Sequence, residues 1–110
     1  MNKMTIYIAG PMRGYENHNF DAFYQAEKKW TRNPAIGRVF NPARMDEEEG
    51  FDPQIAEDSK EHLRSCMARD LNAILQCDAL VMLNGWEHSE GARVEHSLAT
   101  YLGMPIYYEG

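Results

Sequence analysis

Residues 78–83 read DALVML, an apolar run that does not alternate with polar residues. A strand with one face in water would show such alternation, so this run predicts a strand that is covered on both faces. Strands of this kind occur in parallel sheets that carry helices on each side. This stretch therefore restricts the chain to an α/β fold more strongly than any other part of the sequence.

The other segments alternate between strand-like and helix-like patterns. Short apolar or β-branched runs predict strands, and residues such as Phe20, Phe23, Ala26 and Trp30 have helical spacing. The predicted order is strand 4–9, helix 19–30, strand 38–42, a helix from Asp58 or Ser59 to about residue 76, strand 78–83, helix 91–102 and strand 104–108. This order predicts one domain, residues 1–110, with helices on both faces of a parallel sheet of four strands, or five.

Residues 43–57 separate the second predicted strand from the next helix. They contain the acidic run Asp46 to Glu49, followed by Gly50, Phe51 and Pro53. We interpret the segment as a charged loop with a hydrophobic tip and the acidic run as solvated. Long loops in small domains are often lids, so a lid is the functional interpretation of this segment.

The composition limits the class of partner. The chain has 110 residues and a formal net charge of -6, which argues against nucleic acid and still allows a small phosphate ester. No signal peptide and no membrane-spanning stretch are apparent, so we expect a cytoplasmic protein without membrane contact. Cys66 and Cys77 form no zinc or redox pattern, and we expect both to be reduced, buried thiols.

Two loops follow predicted strands and contain small residues. They are residues 10–19 after the first strand and residues 84–90 after the third. Ligands of open α/β sheets bind beyond the carboxyl ends of the strands, near the point where strand order reverses. We therefore expect both loops to line one pocket.

Each loop contains a candidate anion site. Gly10 to Gly14, with Arg13, could form a cradle of backbone N–H groups and a guanidinium, or a simple turn with a surface arginine. Ser89 and Gly91 stand at the start of a predicted helix, where free N–H groups and the helix dipole favour an anion. An ordinary capped helix is the alternative there.

Two carboxylates could share this pocket. Glu95 lies one helical turn after Gly91, so it could be a nucleophile, a general base or a metal ligand, or a surface residue paired with a cation. Asp70 lies in the middle of a predicted helix, where aspartate is unfavourable. It is either a second carboxylate in the pocket or a solvent-facing residue next to Arg69. Two carboxylates about 5 Å apart are typical of retaining glycosyl transfer.

A metal site is not expected. His88, Glu90, Glu95 and His96 fit no known ligand spacing, and Glu95 and His96 point in different directions on a helix. No segment matches a phosphate-binding Walker loop or a dinucleotide-binding glycine pattern. We therefore expect neither a metal nor a cofactor.

Four stretches together resemble the nucleoside 2-deoxyribosyltransferase superfamily. They are residues 7–14 (YIAGPMRG), 69–71 (RDL), 77–83 (CDALVML) and the pattern S-x-G-A-x-x-E from Ser89 to Glu95. The chain is most similar to a branch of short, often phage-borne domains of unknown function, the DUF4406 group. The resemblance implies a flavodoxin-like or Rossmann-like three-layer fold. It also implies cleavage of the N-glycosidic bond of deoxynucleosides or their 5′-monophosphates.

The resemblance also implies roles for individual residues. Glu95 takes the place of the nucleophile that attacks C1′, Asp70 that of the acid that positions the sugar, and Tyr7 that of a tyrosine bonded to the nucleophile. The residues that fall where monophosphate-cleaving members hold the phosphate are Arg13, Gly14, Ser89 and Gly91. Around the base we expect Met12, Tyr15, Trp86 and residues 43–57, and we also expect Gly10 to contact the substrate.

The residue at position 89 favours a phosphorylated substrate over a free nucleoside. Relatives that act on free nucleosides carry aspartate there, which would repel a phosphate, whereas Ser89 can donate a hydrogen bond to one. We therefore predict an N-glycosidase of a nucleoside 5′-monophosphate, acting in the cytoplasm, or in the host cytoplasm if a phage encodes it. The alternatives are a deoxyribosyltransferase that uses a second base, a non-catalytic nucleotide sensor, or a structural dimer module. The small core favours a homodimer or a higher homo-oligomer.

Overall fold

The computed structural model describes residues 2–52 and 59–109. These residues form four strands and four α-helices, with two helices in succession between the second and third strands, and short 3-10 turns precede the first and last helices. The strands are β1 (Met4–Ala9), β2 (Ile36–Phe40), β3 (Ala79–Met82) and β4 (Ile106–Tyr108). The helices are α1 (Phe20–Thr31), α2 (Pro42–Glu48), α3 (Lys60–Leu75) and α4 (Glu90–Tyr101).

The strands form one parallel sheet in the order β2-β1-β3-β4. The chain moves from β1 to β2 on one side and then returns to place β3 on the other side of β1. In the central pair, Tyr7 is in register with Leu80, and Ala9 with Met82. The strand order therefore reverses between β1 and β3, and a crevice is expected at their carboxyl ends.

Side chains alternate between the two faces of the sheet. Tyr7, Ala9, Leu80 and Met82 point to one face and pack with buried residues of α3 and α4. Ile8, on the other face, packs with buried residues of α1. The predicted three-layer α/β fold of the flavodoxin or Rossmann-like class is therefore confirmed, and the fully buried β3 has a helix-bearing layer on each side.

The prediction of a charged loop from residue 43 is wrong, because residues 42–48 form α2. The Asn41 side chain accepts a hydrogen bond of 2.9 Å from the Ala43 N–H, and Pro42 occupies the first helical turn. Asparagine before proline is a helix-start signal, so Asn41 and Pro42 belong to the start of α2 and not to the predicted strand 38–42. Asp46 is buried rather than solvated. Residues 53–57 of that predicted loop lie outside the described residues.

Helix α3 begins after Ser59, whose side chain accepts a hydrogen bond of 3.0 Å from the His62 N–H. Asp58, the other predicted cap, lies outside the described residues. The predicted burial of the thiols is only partly correct, since Cys66 and Cys77 are free but half-buried. Burial raises the pKa of Cys66 to about 11 and that of Cys77 to about 12, so neither thiol is a reactive thiolate at neutral pH. Within residues 2–52 and 59–109, no helix is long and apolar enough to cross a membrane.

Candidate active site

A cavity of about 650 Å³ opens at the carboxyl ends of β1 and β3, where the strand order reverses. The loop after β1 contributes Gly10, Met12 and Arg13 to its lining, and the loop after β3 leads into Ser89 and Gly91. The two loops therefore line one cavity, as the predicted topology required. The three side chains expected to do chemistry, Tyr7, Asp70 and Glu95, also line it.

Glu95 occupies a core position of α4. It is 6% exposed and shares the inward stripe of the helix with Ala92 and Ala99. Its Oε2 accepts a hydrogen bond of 2.6 Å from the hydroxyl of Tyr7, which is fully buried in β1. A glutamate on such a stripe is not a solvated surface residue, so the surface alternative for Glu95 is excluded.

Asp70 reaches the same cavity from α3. Its side chain is 13% exposed and precedes the buried Ala73 and Ile74 by three and four positions, which places it on their face of the helix. Asp70 is therefore not solvent-facing. Its charge acts on Glu95 across the cavity floor.

Burial perturbs both carboxyl groups. Loss of solvation, together with the negative charge of Asp70, raises the pKa of Glu95 to about 8, although the hydrogen bond from Tyr7 opposes this. Burial raises the pKa of Asp70 to about 6, although Arg69 opposes this. Interacting carboxyl groups lose their protons in two steps that belong to the pair. Burial and the repulsion between the two groups therefore both favour a protonated carboxyl in this pair.

Arg69 connects this pair to α2. Its Nε lies 2.9 Å from Asp70 Oδ1, its Nη2 lies 2.8 Å from Asp46 Oδ1, and its Nη1 lies 3.0 Å from Glu49 Oε1. Burial lowers the pKa of Arg69, but the charges of Asp70 and Asp46 outweigh burial and raise it above its usual range. From the sequence, Arg69 is only the neighbour of Asp70 and has no role of its own. Its partners Asp46 and Glu49 come from a segment that had been predicted as a solvated loop.

The opposite part of the cavity lies at the start of α4. Ser89 is the N-cap, and its Oγ accepts a hydrogen bond of 3.2 Å from the Ala92 N–H, which leaves the hydroxyl proton available to a ligand. A Cβ added at Gly91 would lie 3.7 Å from Met67, an ordinary contact. The protein itself therefore does not require glycine at position 91. Because glycine has no side chain, a ligand could approach the backbone N–H groups at the N-terminus of α4.

Gly14 and Trp86, both predicted to bind substrate, do not line this cavity. Gly14 has a φ of 81° and serves the turn after β1. The Trp86 ring stacks on His96, with centroids 4.2 Å apart and planes 18° apart, and His96 is 2.8 Å from the Tyr108 hydroxyl. The Trp86 ring thus packs the loop after β3 against His96 of α4 and Tyr108 of β4.

The chain was also compared with known proteins. Residues 4–108 match the profile of the family described as Domain of unknown function (DUF4406). The chain belongs to this family. No match was found among curated proteins.

The third part of the cavity in this DUF4406 domain is aromatic. His18, Phe51 and His62 line it, and Tyr15 also lines the cavity. Neither histidine was predicted from the sequence, because each stands alone in its segment with no motif around it. Among residues 2–52 and 59–109, no group of three or more histidine, cysteine or acidic side chains is arranged to hold a metal ion.

Proposed function

We propose that this DUF4406 domain is an N-glycosidase that hydrolyses the bond between base and sugar in a nucleoside 5′-monophosphate. One observation carries the proposal: the buried Glu95 and the mostly buried Asp70 line one cavity, and the Tyr7 hydroxyl donates a hydrogen bond to Glu95. A buried carboxylate stabilises the positive charge that develops on C1′ as a glycosidic bond breaks. The resemblance of these residues to the nucleoside 2-deoxyribosyltransferase superfamily supports the same reaction.

In the proposed reaction, ionised Glu95 attacks C1′, the bond from C1′ to the base nitrogen breaks, and the base leaves with that electron pair. Protonated Asp70 delivers its proton to the departing base and becomes a carboxylate. Water then attacks C1′ of the glycosyl ester and gives a proton to the Asp70 carboxylate, while the bond between C1′ and Glu95 breaks, which releases the sugar phosphate and regenerates both carboxyl groups. Hydrolysis thus consumes one water, whereas a second base in its place would make the protein a transferase.

The start of α4 supports a 5′-phosphate rather than a 5′-hydroxyl. Ser89 and Gly91 place a hydroxyl and backbone N–H groups at a helix N-terminus, where the dipole favours an anion. Arg13 lies on the cavity wall and adds positive charge. A phosphate anchored there would hold the sugar over Glu95, which lies in the next turn of the helix.

A second candidate function is a non-catalytic nucleotide sensor. The observation that favours it is the pKa of Glu95, which burial raises to about 8. A protonated carboxyl is a poor nucleophile, so a binder with a neutral Glu95 would use it as a hydrogen-bond donor to the sugar. The two candidates differ in turnover, since only the enzyme releases a base.

We further propose a cytoplasmic homodimer. The ends of α3 and α4 expose Leu75, Tyr101 and Leu102, and Tyr101 is 87% exposed. Exposed apolar side chains of this size support association, because a small domain gains stability by burying more apolar surface. Sedimentation of the wild type and of Tyr101→Glu tests this, with a monomeric wild type as the contrary result.

The decisive experiment is a base-release assay. The purified protein is incubated with each common ribo- and deoxyribonucleoside 5′-monophosphate, and free base is measured by chromatography, with Glu95→Gln as control. Release that is lost in Glu95→Gln supports the glycosidase and identifies its base. If no base is released but one monophosphate raises the melting temperature, the sensor is correct. Adding a second free base to the assay separates a transferase from a hydrolase.

A further inference from the structure

Three aromatic rings from different segments converge at one end of the cavity. His18 comes from the 3-10 turn before α1, Phe51 follows α2, and His62 lies in the first turn of α3. The Phe51 and His62 rings stack with centroids 5.0 Å apart and planes 7° apart, and the His18 and Phe51 centroids are 5.3 Å apart. All three side chains are half-buried and line the cavity.

The backbone that carries His18 is strained. Asn17, His18 and Asn19 have φ values of 51°, 51° and 61°, in the left-handed region that residues other than glycine rarely adopt. Hydrogen bonds hold the segment: the Asn19 side chain donates to Pro11 O at 3.0 Å, and the His18 N–H donates to Tyr15 O at 3.1 Å. Strain of this kind persists where the surrounding structure enforces it, and it clusters at ligand sites.

The sheet topology gives the cavity two ends. The start of α4 follows β3, whereas α2 and Phe51 follow β2, on the opposite side of β1. Tyr7 of β1 and its partner Glu95 lie between these ends. A phosphate bound at Ser89 and a sugar over Glu95 therefore leave the aromatic end for the third part of a nucleotide.

We propose that His18, Phe51 and His62 form the subsite that binds the nucleobase by ring stacking. The inference rests on the proposed function, because it assumes a nucleotide whose phosphate lies at α4. Aromatic rings and flat heterocycles stack face to face or offset, and a base that stacks on these rings excludes water from the carboxyl pair. The subsite therefore selects ligands with a planar heteroaromatic group over the same sugar phosphate without one.

Binding is measured in the Glu95→Gln protein by calorimetry, so that turnover does not consume the ligand. The ligands are the nucleoside 5′-monophosphates and 2-deoxyribose 5-phosphate, which lacks the base. Phe51→Leu keeps an apolar side chain and removes the ring, and His18→Ala removes the strained residue's ring. Phe40→Leu is the matched control, because Phe40 is half-buried and does not line the cavity.

We expect Phe51→Leu and His18→Ala each to weaken monophosphate binding by about ten-fold to a hundred-fold, the range of base stacking on a side chain. Binding of 2-deoxyribose 5-phosphate should stay unchanged in both, and Phe40→Leu should alter neither ligand. Unchanged monophosphate binding in both ring variants overturns the subsite, as does equal weakening of both ligands, which indicates a collapsed cavity.

The subsite and the reaction can fail separately. If the ring variants discriminate between the ligands but the wild type releases no base, the subsite stands and the glycosidase is wrong. If the wild type releases base and the ring variants do not discriminate, the glycosidase stands and the subsite is wrong. If no monophosphate binds, both are overturned.

Discussion

The Tyr7 hydroxyl donates a hydrogen bond of 2.6 Å to Glu95 Oε2, although the two residues are 88 positions apart in the sequence. Both side chains are buried, one in the central strand β1 and the other in α4. A hydroxyl that donates to a carboxyl oxygen stabilises the ionised form of that group. The bond therefore supplies what a nucleophilic Glu95 requires in a site that otherwise favours its protonated form.

Replacing Tyr7 by phenylalanine should test this relationship directly. Loss of the donor should raise the pKa of Glu95 further and lower base release by roughly 10- to 100-fold, the effect of a hydrogen bond to a charged group. The acidic limb of the pH profile should also move to higher pH. Tyr24→Phe is the control, because that hydroxyl bonds the exposed Glu47. An unshifted pH profile in Tyr7→Phe would contradict the proposed role.

The stability of the protein should depend on pH through Glu95. Its pKa is about 8 in the folded protein and 4.5 in its ordinary state, so the folded state binds more protons than the unfolded state in this range. Stability should therefore fall as the pH rises from about 4.5 to about 8. Glu95→Gln removes this loss and should be more stable than the wild type by a few kcal/mol at pH 8.5, with a smaller difference at pH 5.

Urea unfolding of both proteins at the two pH values measures this difference. Asp70 contributes with the same sign but only up to about pH 6, the value to which burial raises its pKa. Glu90→Gln is the control, since Glu90 is exposed on the same helix. Parallel stability curves for the wild type and Glu95→Gln would show that Glu95 is ionised in the resting protein.

Arg69→Gln should destabilise the protein strongly. The change leaves Asp46 and Asp70 buried without their common cation, and removal of one partner from a buried ion pair costs about 3–5 kcal/mol. Arg64→Gln also changes a cavity-lining arginine, but an exposed one, and should cost less than about 1 kcal/mol. Denaturant unfolding at pH 7 compares the two, and equal losses would contradict the structural role of Arg69.

Ser89→Asp should reverse the choice between monophosphate and free nucleoside. Aspartate is as good an N-cap as serine, so α4 should remain intact while the site gains a negative charge. Two like charges about 4 Å apart near a protein surface repel by several kcal/mol. We expect kcat/KM for the monophosphate to fall at least about ten-fold and that for the free nucleoside to hold or rise. A similar fall for both substrates would place the phosphate elsewhere.

The fold was predictable where local pattern and burial coincide. The apolar runs of β1 and β3 lie in the middle of the sheet, so their residues have no polar face and indicate strands without long-range information. Parallel order then brings the ends of these strands together. That is why one cavity lined by the loops after β1 and β3 could be predicted from the sequence, whereas Tyr7 was placed in it only through the family resemblance.

The features that the sequence did not predict depend on contacts between residues that are distant in the sequence. Asp46 stands in an acidic run that is typical of solvent exposure, and only Arg69 from another helix explains its burial. Trp86 stands in a ligand-facing loop, but its ring packs against His96 and Tyr108. Strain at residues 17–19 has no signal in the sequence, because left-handed backbone is usually marked by glycine.

Because α2 lies outside the elements that carry the carboxyl pair, the cavity lining can change in evolution separately from that pair. The carboxyl pair and Tyr7 come from β1, α3 and α4, whereas α2 and Phe51 lie in a connection at the cavity mouth. Connections tolerate insertion and divergence better than the elements they join. Related domains can therefore diverge around Phe51 and still keep the carboxyl pair, provided that Asp46 of α2 continues to pair with Arg69.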